Sequence, residues 1–165
     1  MPPAPGIAPI LISPHNSNVL YHGANVLLRS DFRGTDWKEI SPDLSNESKC
    51  EDNGKVWGTI TTIDESPVKK GIIWVGTDDG NIHLTSNGGK SWEKISDNLP
   101  DGTKDMYVSR VVSSHHDPQK AYVSLIGARS NFDASGHAYY CSPKLQSELN
   151  LKPYCYKTND FGKTW

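Results

Sequence analysis

A chain of 165 residues with 17 Lys and Arg against 19 Asp and Glu is long enough for one domain with a real core. It has no cluster of basic charge, which argues against an electrostatic nucleic-acid surface, and no apolar run approaching the roughly 20 residues of a membrane helix. Five Trp, seven Tyr, 14 Gly and 11 Pro beside two Met suit an all-β chain with frequent turns.

The first residues, Met1-Pro2-Pro3-Ala4-Pro5-Gly6, lack the basic start and apolar stretch of a secretory signal; residues 1–8 read as a linker. Ile10-Leu11-Ile12 is short and apolar, and Ser13-Pro14-His15-Asn16-Ser17-Asn18 breaks it. Val19-Leu20-Tyr21-His22-Gly23, Val26-Leu27-Leu28-Arg29-Ser30 and Trp37-Lys38-Glu39-Ile40 follow, separated by tight turns. Four short strands are expected over about 9–44. A polar connection from Leu44 to Lys55 leads to a second unit at about 56–99. There Gly58-Thr59-Ile60-Thr61-Thr62-Ile63, Ile72-Ile73-Trp74-Val75-Gly76, Ile82-His83-Leu84-Thr85 and Trp92-Glu93-Lys94-Ile95 repeat the plan, with Asp78-Asp79-Gly80-Asn81 as a hairpin turn. A third unit, about 105–165, holds Tyr107–Val112, Ala121–Leu125 and Tyr154–Lys157. The strands are expected near 9–13, 18–23, 26–30, 37–41, 57–64, 71–76, 81–85, 92–95, 106–113, 120–126 and 154–158, with one helical turn near Ser142 to Leu149.

One eight-residue frame punctuates all three units. Thr158-Asn159-Asp160-Phe161-Gly162-Lys163-Thr164-Trp165 reads S/T-x-D-x-G-x-T-W. In such a frame a hydroxyl and a carboxylate bond backbone N–H groups inside a tight turn. The glycine takes positive φ, and the Trp is expected to pack under the turn. Thr85 to Trp92 repeats the frame with Thr85, Asn87, Gly89 and Trp92 at the matching places. Ser30 to Trp37 repeats it with Ser30, Gly34 and Trp37, but Phe32 stands where Asp belongs and Asp31 is displaced by one, so this turn should be bonded differently. Pro14 to Trp37 spans 23 residues and Pro67 to Trp92 spans 25; Pro118 to Trp165 spans 47, an excess of about 22 that falls at about 127–153.

These segments, with Ser13 to Tyr21, Trp74 to Asn81 and Tyr154 to Trp165, resemble the Asp-box (bacterial neuraminidase repeat) β-propellers. More narrowly they are similar to the sortilin-like and bacterial "glycosyl hydrolase, BNR repeat" proteins, over nearly all of residues 9–165. The resemblance implies an all-β, partial β-propeller of about three four-stranded antiparallel blades with Asp-box hairpins, a piece of a larger ring. In that family the box residues are structural. Its catalytic sets, an arginine cluster with a Tyr nucleophile or paired Asp residues, match no positions here. Its members' settings imply an extracellular or secretory location.

Asp78-Asp79 is an acid/base candidate pair, but the following Gly80-Asn81 favours a turn-forming role. Asp64-Glu65, at the end of a first strand, has a path to a central face, with surface charge as the plainer account. Arg29, Arg110 and Arg129 do not establish an anion-binding cluster. His115-His116-Asp117 has metal-ligand residue types, yet neighbouring strand residues point to opposite faces; no metal and no cofactor is expected. Cys141 and Cys155 bracket the long insertion and are candidates for a disulfide in an exported protein, closing a loop of about 15 residues for roughly 3 kcal/mol. Asn46-Glu47-Ser48 is a glycosylation sequon. Two functions are open. The first is a non-catalytic structural or interaction module whose partners are the remaining blades or another protein chain, and a glycan or peptide. The second is part of a sialidase- or xyloglucanase-like glycoside hydrolase with its catalytic residues mostly elsewhere. Apolar residues such as Ile10, Ile12, Val111 and Val123 are expected on open end faces.

Overall fold

The computed structural model describes residues 8–45, 58–104, 106–126 and 152–165. Three antiparallel sheets follow one another along the chain. Sheet one is β1 (Ile10–Ile12), β2 (Leu20–Gly23), β3 (Leu27–Ser30) and β4 (Trp37–Glu39). Sheet two is β5 (Ile60–Glu65), β6 (Ile73–Thr77), β7 (Ile82–Thr85) and β8 (Glu93–Lys94). Sheet three holds β9 (Tyr107–Ser113), β10 (Ala121–Ile126) and β11 (Pro153–Thr158). Each sheet is a meander in which consecutive strands pair, and the connections within sheets one and two and from β9 to β10 are short. All eleven expected strands are present, and the helical piece among the described residues is a 3-10 turn, Ser96–Asn98. The turn expected near Ser142 to Leu149 lies outside the described residues.

The core lies between sheets rather than within one. Val19, Tyr21, Leu27 and Leu44 of the first unit pack on Ile60, Ile63, Ile73 and Val75 of the second. Ile72, Trp74, Ile82, Leu84 and Ile95 then pack on Val108, Val111, Ala121, Val123 and Leu125 of the third. We call the side facing the preceding sheet the front and the other side the back.

This stacking explains the burial patterns. Side chains along a strand point alternately to opposite faces. Sheet two is covered on both faces, and every residue of its β6, Ile-Trp-Val-Gly-Thr, is buried. Strand β10 of sheet three is covered on its front alone: Ala121, Val123 and Leu125 are buried while Tyr122 and Ile126 are exposed. Strand β1 shows the reverse, with Ile10 and Ile12 exposed on the front of sheet one. The expectation that Val111 and Val123 sit on an open face is therefore corrected. Both are buried against sheet two, and the open back of sheet three presents Tyr122, Ile126 and Val112 instead. Glycines let the sheets approach: a Cβ on Gly76 would lie 2.4 Å from Val108 Cγ1, and one on Gly23 would lie 2.7 Å from Ile60 Cγ2.

Candidate functional site

The three boxes are built alike. In the third, Thr158 Oγ1 donates to Asp160 Oδ1 (2.7 Å) and accepts the Gly162 N–H (2.8 Å), while Asp160 takes the Thr164 N–H (3.0 Å) and hydroxyl (2.7 Å). Those donors, the Thr164 hydroxyl first, hold the Asp160 carboxyl down to about 2. In the second box Asn87 fills the same place through a neutral amide: Oδ1 accepts the Thr85 hydroxyl and Ser91 N–H, and Nδ2 donates to Ser91 Oγ. The first box solves its missing Asp from the other side of the turn. Asp36 Oδ1 accepts both the Ser30 hydroxyl (2.8 Å) and the Phe32 N–H (3.1 Å), and Asp31 turns away to pair with Arg29 (2.6 Å). The expected difference in bonding is there, and Asp36 is the residue that sequence reading did not single out.

Each box is also tied to the turn between the first two strands of its own sheet. The N–H groups of Arg33, Gly88 and Phe161 donate to Asn18 O, Gly71 O and Gln119 O at 2.9, 2.9 and 3.0 Å. These three donors have positive φ (55°, 72° and 61°), as do the glycines that follow them, Gly34, Gly89 and Gly162. Every box thus has two consecutive left-handed residues, of which the pattern announces one.

The box tryptophans correct a second expectation. They reach backwards across the seam to the preceding sheet rather than staying under their own turn. Trp92 Nε1 donates to Ile40 O (2.8 Å), and Trp165 Nε1 donates to Ile95 O (3.3 Å). Trp37, in the first box, is 40% exposed and lies against His22, ring centroids 5.9 Å apart. The glycines share the contact: a Cβ on Gly89 would sit 2.6 Å from Ile40 O, and one on Gly162 would sit 2.5 Å from Ile95 Cδ1.

Asp64 and Glu65 are not surface charge. As neighbours on β5 they point to opposite faces, and each closes one seam. Glu65 is buried; its Oε2 accepts the Ser13 hydroxyl from sheet one (2.5 Å) and its Oε1 accepts the Gly71 N–H (3.1 Å). Burial, with the Glu65 charge second, pushes the nearby Tyr21 phenol far above its ordinary value. Asp64 Oδ2 accepts both the N–H and hydroxyl of Ser113 in sheet three, each at 2.6 Å. Thr62 Oγ1 accepts the Val111 N–H beside it (3.2 Å). A buried carboxylate with this many donors is satisfied in place.

The opposite end of the sheets, away from the boxes, carries the other acidic pair. Asp78 Oδ1 accepts the Thr59 N–H (2.7 Å) and Oδ2 the Thr59 hydroxyl (3.1 Å), and Asp79 Oδ1 accepts the Thr77 hydroxyl. Asn81 Nδ2 bridges to Leu44 O (2.9 Å). Burial raises the Asp78 carboxyl and the Tyr107 phenol, with the Asp78 charge adding to the latter. The pair therefore forms a turn and anchors the start of β5. Arg29 lies over Tyr21 and on Asp31, and Arg110 is exposed on the back of sheet three; the structure does not bring them together. Asp117 caps its turn by accepting the Gln119 N–H (3.0 Å), and no group of three or more metal-ligand side chains occurs among the described residues. His83 also escaped sequence reading. Burial pushes its imidazole down to about 4, and Nε2 has no hydrogen-bond partner. Cys155 is exposed on β11; Cys141, Asn46 and Arg129 lie outside the described residues.

Sequence comparison finds no matching family model and no curated protein that matches. Solved structures do match. An ancestral GH74 enzyme is 17% identical over 76% of this chain and 14% of its own, with a TM-score of 0.56. YCF48 bound to D1 peptide is 15% identical over 100% of this chain and 41% of its own, with a TM-score of 0.54. This chain is a partial β-propeller. The GH74 enzyme of Niastella koreensis gives 18% identity, 94% and 28% coverage and a TM-score of 0.52. The chain spans less than half the length of each of the three, and at these identities the likeness carries the fold alone. The three sheets are its blades. No helix of the described residues is long and apolar enough to cross a membrane.

Proposed function

We propose that this chain is a non-catalytic structural or interaction module of a larger Asp-box propeller, meeting a protein or glycan through the loops at the blade ends opposite the boxes. One observation carries it. The acidic pairs that the strand pattern offers as catalysts are engaged by donors of the fold itself: Asp64 by Ser113, Glu65 by Ser13 and the Gly71 N–H, Asp78 by Thr59 and Asp79 by Thr77. Glycoside hydrolysis needs two carboxyl groups facing one bond about 5–5.5 or 6.5–9.5 Å apart, and Asp64 and Glu65 face opposite seams. Both ligand classes suit the fold, since YCF48 was solved with a D1 peptide and the GH74 neighbours are enzymes.

The test is a panel of aryl glycosides offered to the isolated chain, with turnover read against a heat-denatured control. No turnover is expected. Turnover that disappears in Asp64→Asn while the unfolding midpoint is unchanged would overturn the reading and favour a hydrolase.

A further inference from the structure

We propose that the seam between blades one and two is an acid-sensitive latch with His83 as its titrating group, whereas the seam between blades two and three carries a tyrosine at that place. The proposal rests on the fold and does not need the ligand reading above.

The segment that leaves each blade is what the next blade must hold. Ile40 to Leu44 leaves blade one and Ile95 to Leu99 leaves blade two, at the same distances from Trp37 and Trp92, and both leucines are buried. In seam one this segment is fastened at both ends. Trp92 Nε1 donates to Ile40 O (2.8 Å), and Asn81 Nδ2 donates to Leu44 O (2.9 Å). Asn81 stands immediately before β7 and His83 stands on it. His83 pairs with Val75, a core residue of seam one, which puts the imidazole on the front of blade two. The matching residue of blade three, also two before the box hydroxyl, is Tyr156, paired with Val123 of the seam-two core.

The place suits a neutral imidazole and not a charged one. Nε2 is buried with no hydrogen-bond partner, so a proton added there would be a buried donor without an acceptor. Lys94 of β8 is the cross-strand partner of His83, and protonation would set two like charges directly opposite each other. The remaining charges do not offset this. Asp97 of the 3-10 turn lies 3.7 Å from Lys94 Nζ and is largely exposed. Asp43, the charged residue of the 40–44 segment, is bonded to Asn25 and Ser45. Glu65, the buried carboxylate of this seam, is two strands away on β5 and is taken by Ser13 and the Gly71 N–H. Burial holds the imidazole down to about 4, with Lys94 adding to it and the Leu44 backbone and Asp97 opposing. An unfolded His has a value of about 6.5. Closure is therefore at full strength above about 6.5 and is lost as pH falls towards 4, and the ratio of open to closed seam should rise roughly twentyfold from pH 7 to pH 5. Asp78, whose carboxyl burial raises, titrates in the opposite sense, so the decisive comparison is between His83 variants at one pH.

The test is hydrogen exchange of the full chain, followed by NMR and corrected for the intrinsic dependence of exchange on pH. The Ile40 and Leu44 amides, bonded to Leu27 O and Asn25 O, report on seam one, and the Ile95 amide, bonded to Ile82 O, reports on the segment that leaves blade two. Opening at Ile40 and Leu44 should be roughly twentyfold greater at pH 5 than at pH 7, and Ile95 should not follow. His83→Tyr gives seam one the residue of seam two and should abolish the acid response; His83→Gln takes its place if the tyrosine variant does not fold. Amides at Ile40 and Leu44 as protected at pH 5 as at pH 7 would overturn the proposal. So would a response shared equally by Ile95, or one that persists without His83.

Discussion

The back of blade two and the back of blade three are the same surface in two situations. Blade two presents Trp74 to blade three and buries it wholly; blade three presents Tyr122 and leaves it exposed. The strand pairing beneath them is the same antiparallel meander. What differs is the neighbour. A propeller blade is one sheet thick, so an aromatic residue on it contributes to stability to the extent that another blade covers it.

The largest expected effect breaks this comparison directly. Trp74→Ala should lower stability by about 3–5 kcal/mol, the usual range for a fully buried aromatic. Tyr122→Ala, at the equivalent place, should cost under about 1 kcal/mol. Urea midpoints of the two variants are the check. Equal losses would mean that the two positions are not equivalent.

A middle-sized effect compares boxes with and without a preceding blade. Alanine at Gly34 meets nothing nearer than 3.6 Å, and its cost is that of a positive φ of 91° alone, about 1 kcal/mol. At Gly89 the same strain is joined by a clash with the Ile40 carbonyl oxygen at 2.6 Å, so Gly89→Ala should cost at least about twice as much. Thermal midpoints of the two alanine variants would sharpen the view of the box as a contact between blades. If Gly34→Ala were the more damaging, that view would fail.

The smallest effect is in acid. Asp160 sits at about 2 in the folded chain against about 3.9 for an unfolded Asp. A carboxyl depressed in this way stabilises the fold above the unfolded value, and that contribution is lost as pH falls from about 4 towards 2. Asn87 does the same bonding without a charge. Asp160→Asn should therefore flatten the decline in stability between pH 4 and pH 2, and Asn87→Asp should steepen it. Unfolding midpoints measured at intervals across that window test both, and an unchanged slope in either variant would count against the assigned role.

Much of this was written locally. The positions of the strands follow from short apolar runs between turn residues, and the boxes follow from hydroxyl, carboxylate or amide, glycine and Trp at fixed spacing. Those interactions span eight residues or fewer, so a linear reading reaches them. Asp36 was missed because its role depends on a rearranged turn in which it takes the place that Phe32 cannot fill. Asp64 and Glu65 were misread because their partners, Ser113 and Ser13, are 49 and 52 residues away. Separations of 52 and 70 residues likewise hide the tryptophans' acceptors, Ile40 and Ile95.

By itself the sequence determined an all-β chain of three repeated units, each a meander closed by a box turn. Strand periodicity and turn chemistry act over a few residues, and the composition leaves no competing helix. Only the tertiary structure decided which face of each blade is covered, which acidic residues are seam contacts, and that the box Trp belongs energetically to the preceding blade. The reason is that alternation in a strand states that two faces exist; it does not state what will lie against either of them.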